Sequence, residues 1–155
     1  MSTHSTNHQS YTIREASRLS GLPESTLRYY ETIGIIDPID RDTSSKHRVY
    51  SQKDIDLIDA VACLSATGMS IDDMRAYMAN LTKGEQGNRD EILLLENQKQ
   101  RLKDEAHYLA LRQDYVDTKI AYWHAVTSGD DRQVQATRDR ARAIAKDLKF
   151  PGATN

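Results

Sequence analysis

The sequence predicts a mainly α protein: a winged helix-turn-helix head, a long helix that forms a dimerisation coiled coil, and a short C-terminal helix. Three observations carry that reading. Glycine punctuates the first eighty residues at helix-like intervals, with Gly21, Gly34 and Gly68 each following an apolar-periodic segment. Between Gly87 and Gly129 there is then neither glycine nor proline. Across that window large apolar side chains, Leu95, Leu102, Leu109, Val116 and Trp123, recur every seven residues.

Met1 to Ser10 are polar and rich in Ser, Thr, His and Asn, so residues 1–10 are expected to be a disordered tail. Thr12-Ile13-Arg14-Glu15 has the form of a capping box, and Ile13, Ala16 and Leu19 continue one helical face until Gly21. Proline fits the first turn of a helix because it has no N–H to lose there, so a second helix is expected from about Pro23 to Ile33, ending at Gly34. Helix, tight turn and helix follow one another. Ile35-Ile36 and Arg48-Val49-Tyr50 are β-prone and flank the turn-rich stretch Asp37 to His47, which reads as a small hairpin or wing. Ser51-Gln52-Lys53-Asp54 caps a third helix that closes at Gly68, and Ser70-Ile71-Asp72-Asp73 caps a fourth carrying Met74, Tyr77, Met78 and Leu81.

Four short helices and a wing thus fill residues 11–81. Residues 82–88, polar and holding Gly84 and Gly87, are expected to be a linker. Residues 89–127 form the long helix, about 60 Å for about 40 residues. One apolar stripe on a helix of that length cannot be buried against a small head alone, so a second copy is required. Gln98, Glu105, Arg112 and Lys119 stand where a parallel zipper would place Leu, which leaves the seam imperfect. Residues 128–155 hold a last helix and a tail, with Val134, Ala141, Ile144 and Leu148 on one face.

Composition limits the function. The net charge of −2 gives no bulk basicity, so any nucleic-acid contact must rest on a local patch. The single cysteine, Cys63, excludes an intramolecular disulfide and a multi-cysteine zinc site. No apolar run approaches a membrane span and no secretory signal is seen, so a cytoplasmic protein is expected. His107 and His124 are too far apart on one helix to share a metal, and no phosphate-cradling loop or nucleophile motif occurs. No metal site, no cofactor and no catalysis are expected.

On the second helix of a helix-turn-helix, Ser25, Thr26 and Arg28 face a major groove, while Arg41, Lys46, His47 and Arg48 of the wing supply phosphate contacts. With Thr12, Tyr29 and Tyr30 these form the candidate DNA-binding set. The alternative is that Leu27, Tyr30 and Ile33 are simply a packed face and that Arg28 pairs with a carboxylate such as Glu31.

Ile13-Arg14-Glu15-Ala16, Gly21-Leu22, Thr26-Leu27-Arg28-Tyr29-Tyr30-Glu31, Gly34-Ile35-Ile36, Arg48-Val49-Tyr50, Asp54-Ile55 and Gly68-Met69-Ser70-Ile71, in that order, resemble the MerR family of bacterial transcription regulators. The resemblance implies a homodimer joined by an antiparallel coiled coil through Leu95, Leu102, Leu109, Val116 and Trp123. It also implies double-stranded promoter DNA with a long spacer, whose distortion realigns the promoter for RNA polymerase. Ala62-Cys63-Leu64, placed before Gly68, resembles the short single-cysteine branch that responds to aldehydes and other electrophiles, which implies Cys63 as the sensing residue. The competing readings are a regulator whose ligand binds at the coiled coil, with Tyr108, Tyr115 and Tyr122 lining its pocket and Cys63 structural, and a coiled-coil scaffold whose heads bind protein.

Overall fold

The computed structural model describes residues 9–150. Its order is β1 (Ser10–Tyr11), α1 (Ile13–Ser20), α2 (Glu24–Thr32), β2 (Tyr50–Ser51), α3 (Gln52–Ala66), α4 (Ile71–Asn80), α5 (Gly84–Ser128) and α6 (Asp131–Lys149). The chain divides into two compact units, one ending at Leu95 and one beginning at Glu96.

In the first unit local capping sets the helix starts. Thr12 and Glu15 close a reciprocal box over the first turn of α1, Ser51 and Asp54 do the same for α3, and the Ser70 hydroxyl accepts from Asp73 N–H at 3.1 Å. Gly21 ends α1 at φ 75°, a left-handed conformation that costs other residues a steric clash. The core joins Ala16, Leu27, Ile35, Tyr50, Ile58, Val61 and Met74, with Leu22, Leu64 and Leu94 packed against it. Each large side chain so buried contributes about 1.5–3 kcal/mol.

The small sheet differs from the expected hairpin. Tyr50 pairs with Tyr11 and Ser51 with Ser10, antiparallel, so Ser10 belongs to a strand rather than to a tail; residues 1–8 lie outside the described residues. Ile35 and Ile36 are not in a strand. Ile35 N–H donates to Tyr30 C=O at 2.9 Å and Gly34 N–H to Glu31 C=O at 3.3 Å, with Gly34 at φ 78°. These two hydrogen bonds are the Schellman closure of α2, in which the residue after the glycine turns an apolar side chain back onto the helix. The β-branched pair is therefore core, spent on ending a helix.

The stretch read as a linker is also shorter than expected, because α5 starts at Gly84. Gly87 lies within its first turns, where a Cβ would run into the backbone oxygen of Asn80. The glycine that suggested a break instead permits a close approach of helix and preceding turn.

In the second unit α6 packs antiparallel on α5 behind the turn at Gly129. Ala125, Thr118 and Ile144 are buried between them, and Arg140 donates to the Asp114 carboxylate at 2.7 Å. The opposite face of α5 carries Leu102, Leu109, Val116, Ile120 and Trp123, all between 40% and 60% exposed. No described helix is long and apolar enough to cross a membrane.

Candidate nucleic-acid interface

The turn between α1 and α2 is tied from both sides. Ser17 Oγ donates to Leu22 C=O at 2.7 Å, and Ser20 Oγ accepts from Leu22 N–H at 3.2 Å. Pro23 occupies the cap position of α2 with no side-chain bond to offer, so packing orients that helix: Leu27 and Tyr30 are buried. The same periodicity leaves Ser25, Arg28 and Tyr29 exposed and Thr26 half-buried.

Tyr30, grouped with the DNA-facing residues on sequence grounds, points the other way. It is 7% exposed, and its hydroxyl lies 3.4 Å from Ser65 Oγ on α3. It is a core residue of the head.

The wing is a loop closed by an Arg41–Arg48 antiparallel bridge and by Asp42 N–H donating to His47 C=O at 2.9 Å. Its tip is organised by one carboxylate. Asp42 Oδ1 accepts from the N–H and the hydroxyl of both Ser44 and Ser45, at 2.7–3.0 Å. The Ser45 N–H and the serine hydroxyls hold the Asp42 carboxyl well below the usual carboxylate range. Lys46 takes a left-handed conformation, φ 63°, which lets Arg41 Nη1 reach its carbonyl at 3.1 Å.

Arg48 fastens the wing to α2. Its Nε donates to both oxygens of Glu31, at 3.0 and 3.3 Å, with the side chains 19% and 14% exposed. Arg28 pairs with Glu24 at 3.2 Å, not with Glu31, and is about half exposed. Its guanidinium is therefore held loosely, in water, where a surface pair contributes little.

These pieces enclose a cleft of about 490 Å³ between the start of α1, α2 and the wing. Arg28, Arg41, Lys46, His47 and Arg48 line it together with Thr12 and Tyr11, and Asp42, already saturated by the serines, is its acidic member. The Thr12 hydroxyl accepts from Glu15 N–H at 3.2 Å and so serves the helix cap first. Ser25, Thr26 and Tyr29 are outside the cleft lining, on α2. Four of the chain's 21 lysines and arginines thus share one concave patch although the net charge is −2, an arrangement suited to a phosphate backbone. Sequence reasoning missed Asp42 and Glu31 as organisers. The Asp-x-Ser-Ser spacing signals the first, while only the tertiary contact identifies the second.

Cys63 is exposed on α3, one residue before the core-packed Leu64. Its neighbours one turn away are Asp59, Ala60, Ala66 and Thr67. Among the described residues no group of His, Cys, Asp and Glu is placed to hold a metal ion.

Comparison with known proteins gives a consistent picture. Residues 11–81 match the family described as MerR HTH family regulatory protein. An HTH-type transcriptional regulator of Haemophilus influenzae is 27% identical over 113 residues, which span 73% of this chain and 83% of that one. The HTH-type transcriptional regulator AdhR of Bacillus subtilis is 33% identical over 90 residues, 58% of this chain and 64% of that protein. Among solved structures, HiNmlR, a MerR family regulator lacking the sensor domain and bound to promoter DNA, aligns with TM-score 0.62 and 25% identity, covering 88% of this chain and 96% of that one. A MerR family regulator from Listeria monocytogenes aligns with TM-score 0.63 and 28% identity, covering 84% and 98%.

Proposed function

We propose that this chain is a DNA-binding transcription regulator of the MerR type that acts as a homodimer switching a promoter with a long spacer, a reading supported by the match of residues 11–81 and by the likeness to the promoter-bound HiNmlR structure. Each head enters one half-site, α2 meeting the major groove through Ser25, Thr26, Arg28 and Tyr29, and the wing meeting phosphates through Arg41 and Lys46. Arg48 acts mainly by holding the wing against Glu31. The two heads are joined through the exposed seam of Leu95, Leu102, Leu109, Val116 and Trp123, antiparallel, and their separation distorts the operator so that RNA polymerase can engage. The protein works in the cytoplasm.

The observation that carries this reading is the cationic cleft between α2 and the wing. Binding to random-sequence duplex DNA over a range of salt concentrations tests it. Phosphate contacts release counterions, so the logarithm of affinity falls with the logarithm of salt, and Arg28→Ala is expected to reduce that slope by about 1. An unchanged slope removes Arg28 from the interface, and no measurable duplex binding at low salt returns the heads to the protein-binding reading.

The switch is placed at Cys63. A thiolate there adds to a carbonyl carbon: the S–C bond forms, the C=O π bond opens onto oxygen, and that oxygen takes a proton from water. Exposure of Cys63 supports the reading, as does the position of α3, whose next residue packs in the head core. An adduct on α3 alters the attitude of the head and so the transcription of a detoxifying dehydrogenase or a similar gene. A reporter strain carrying Cys63→Ser is expected to lose induction by formaldehyde or methylglyoxal. Full induction would return Cys63 to a structural role.

A further inference from the structure

The flank of the α5–α6 pair holds a second, separate cleft of about 220 Å³. Its walls are Tyr115 and Tyr122 from α5, its floor is opened by the small Ala141 and Ala145 of α6, and three cations, Lys119, Arg138 and Arg142, stand around it. Two of them lie against one aromatic ring: Lys119 Nζ is 4.9 Å and the Arg138 guanidinium 5.9 Å from the Tyr122 ring centre. Arg138 also donates to the Tyr122 hydroxyl at 3.5 Å. Arg142 pairs with Asp139 at 3.9 Å, with both side chains mostly exposed, a surface pair of little strength.

Helical geometry turns most of this cleft away from the proposed dimer seam, although Tyr115 and Lys119 also border Val116, Ile120 and Trp123. At about 100° per residue, Tyr115 and Tyr122 lie roughly 40–60° from Thr118, whereas Val116, Ile120 and Trp123 lie roughly 140–200° around from it. Thr118 is buried and the other three are exposed.

We propose that this cleft binds a small single-ring aromatic acid. The rings and alanines supply apolar walls, and three cations border the same cleft, Arg142 in only a weak surface pair, so an anion seated there is attracted by all of them. Guanidinium groups suit a planar carboxylate, which accepts two parallel N–H bonds. The cleft has room for one ring, since a cavity of about 150 Å³ admits benzene. The proposal does not rest on the DNA-binding or Cys63 readings, because every residue in it lies in the second unit.

The chain's one tryptophan provides the readout, as the Trp123 and Tyr122 ring centres are 5.1 Å apart. Benzoate titrated into the full chain is expected to change Trp123 fluorescence saturably, with calorimetry giving one site per chain. Benzyl alcohol, which lacks the charge, and acetate, which lacks the ring, are each expected to bind at least about tenfold more weakly. The double variant Arg138→Ala/Arg142→Ala should show the same loss. So should Ala141→Leu, which fills the cleft with a good helix former and is checked for folding by circular dichroism. No saturable response to benzoate, undiminished benzoate binding by the folded Ala141→Leu protein, or equal binding of acetate would each overturn the proposal.

Discussion

The two units spend the same kind of side chain in opposite ways. In the head, Leu27, Ile35, Tyr50, Ile58 and Val61 are at most 2% exposed, because short helices crossing at angles can surround them within about 80 residues. In the second unit Leu109, Val116, Ile120 and Trp123 remain more than half exposed, because α6 covers only the opposite face of α5. Apolar periodicity therefore has two meanings: a closed core where several helices converge, and an unfilled seam where one helix is long. The head closes its own core, whereas the seam is covered only in the proposed dimer.

The strongest way to break that contrast is to charge the seam. Leu102→Lys/Leu109→Lys removes four large apolar side chains from a dimer, worth together about 6–12 kcal/mol. Sedimentation is expected to show a monomer at micromolar concentration, the dissociation constant rising by more than about 10⁴-fold. The head should keep its own thermal transition. A variant that still dimerises would move the interface elsewhere.

Leu27→Ala is the counterpart in the head. A fully buried leucine replaced by alanine loses transfer energy and leaves a cavity, so denaturant unfolding of the head should shift by about 2–5 kcal/mol. The oligomeric state should be unchanged, and a coupled loss of dimer would show that the two units are not independent.

Tyr50→Phe sharpens the comparison in the other direction. The Tyr50 side chain is fully buried and its hydroxyl has no hydrogen-bond partner among the described residues, while burial pushes the phenol above its ordinary range. Removing an unsatisfied buried hydroxyl relieves a desolvation penalty, so the variant should be more stable by about 1 kcal/mol. A loss of stability would mean that the hydroxyl is satisfied in solution.

The smallest effect is expected at the base of α5. Burial raises the Glu91 carboxyl, with the Asp90 charge adding to the rise and the Asn80 amide and Lys83 opposing it. The folded state therefore keeps the proton to higher pH than the unfolded state does. Stability is then greatest below the ordinary carboxylate value of 4.5 and declines as pH rises through the folded value. Glu91→Gln should raise the melting temperature at pH 7 by about 1–4 °C and change nothing at pH 3.5. Equal shifts at both pH values would assign the effect to packing instead.

Much of this molecule was legible because its signals are local. The Thr12-x-x-Glu15 and Ser51-x-x-Asp54 boxes and the glycines at 21 and 34 act through neighbours within one turn, so a linear reading recovers them. The heptad of Leu95 to Trp123 is likewise a property of one helix. Tertiary contacts decided the rest. Ile35 has the composition of a strand residue, but burial beside Tyr30 made it the closure of α2, and the strand partner of Tyr50 came from Tyr11, 39 positions earlier. Gly87 looked like a linker because a missing side chain reads the same whether it loosens a chain or lets two backbones meet. Tyr30 and Arg48 lie in the strings that carried the family resemblance, yet one became core and the other the wing's fastening to Glu31. Spacing along the chain determines which face a side chain takes on its own helix, whereas what that face meets depends on groups brought together only by the fold.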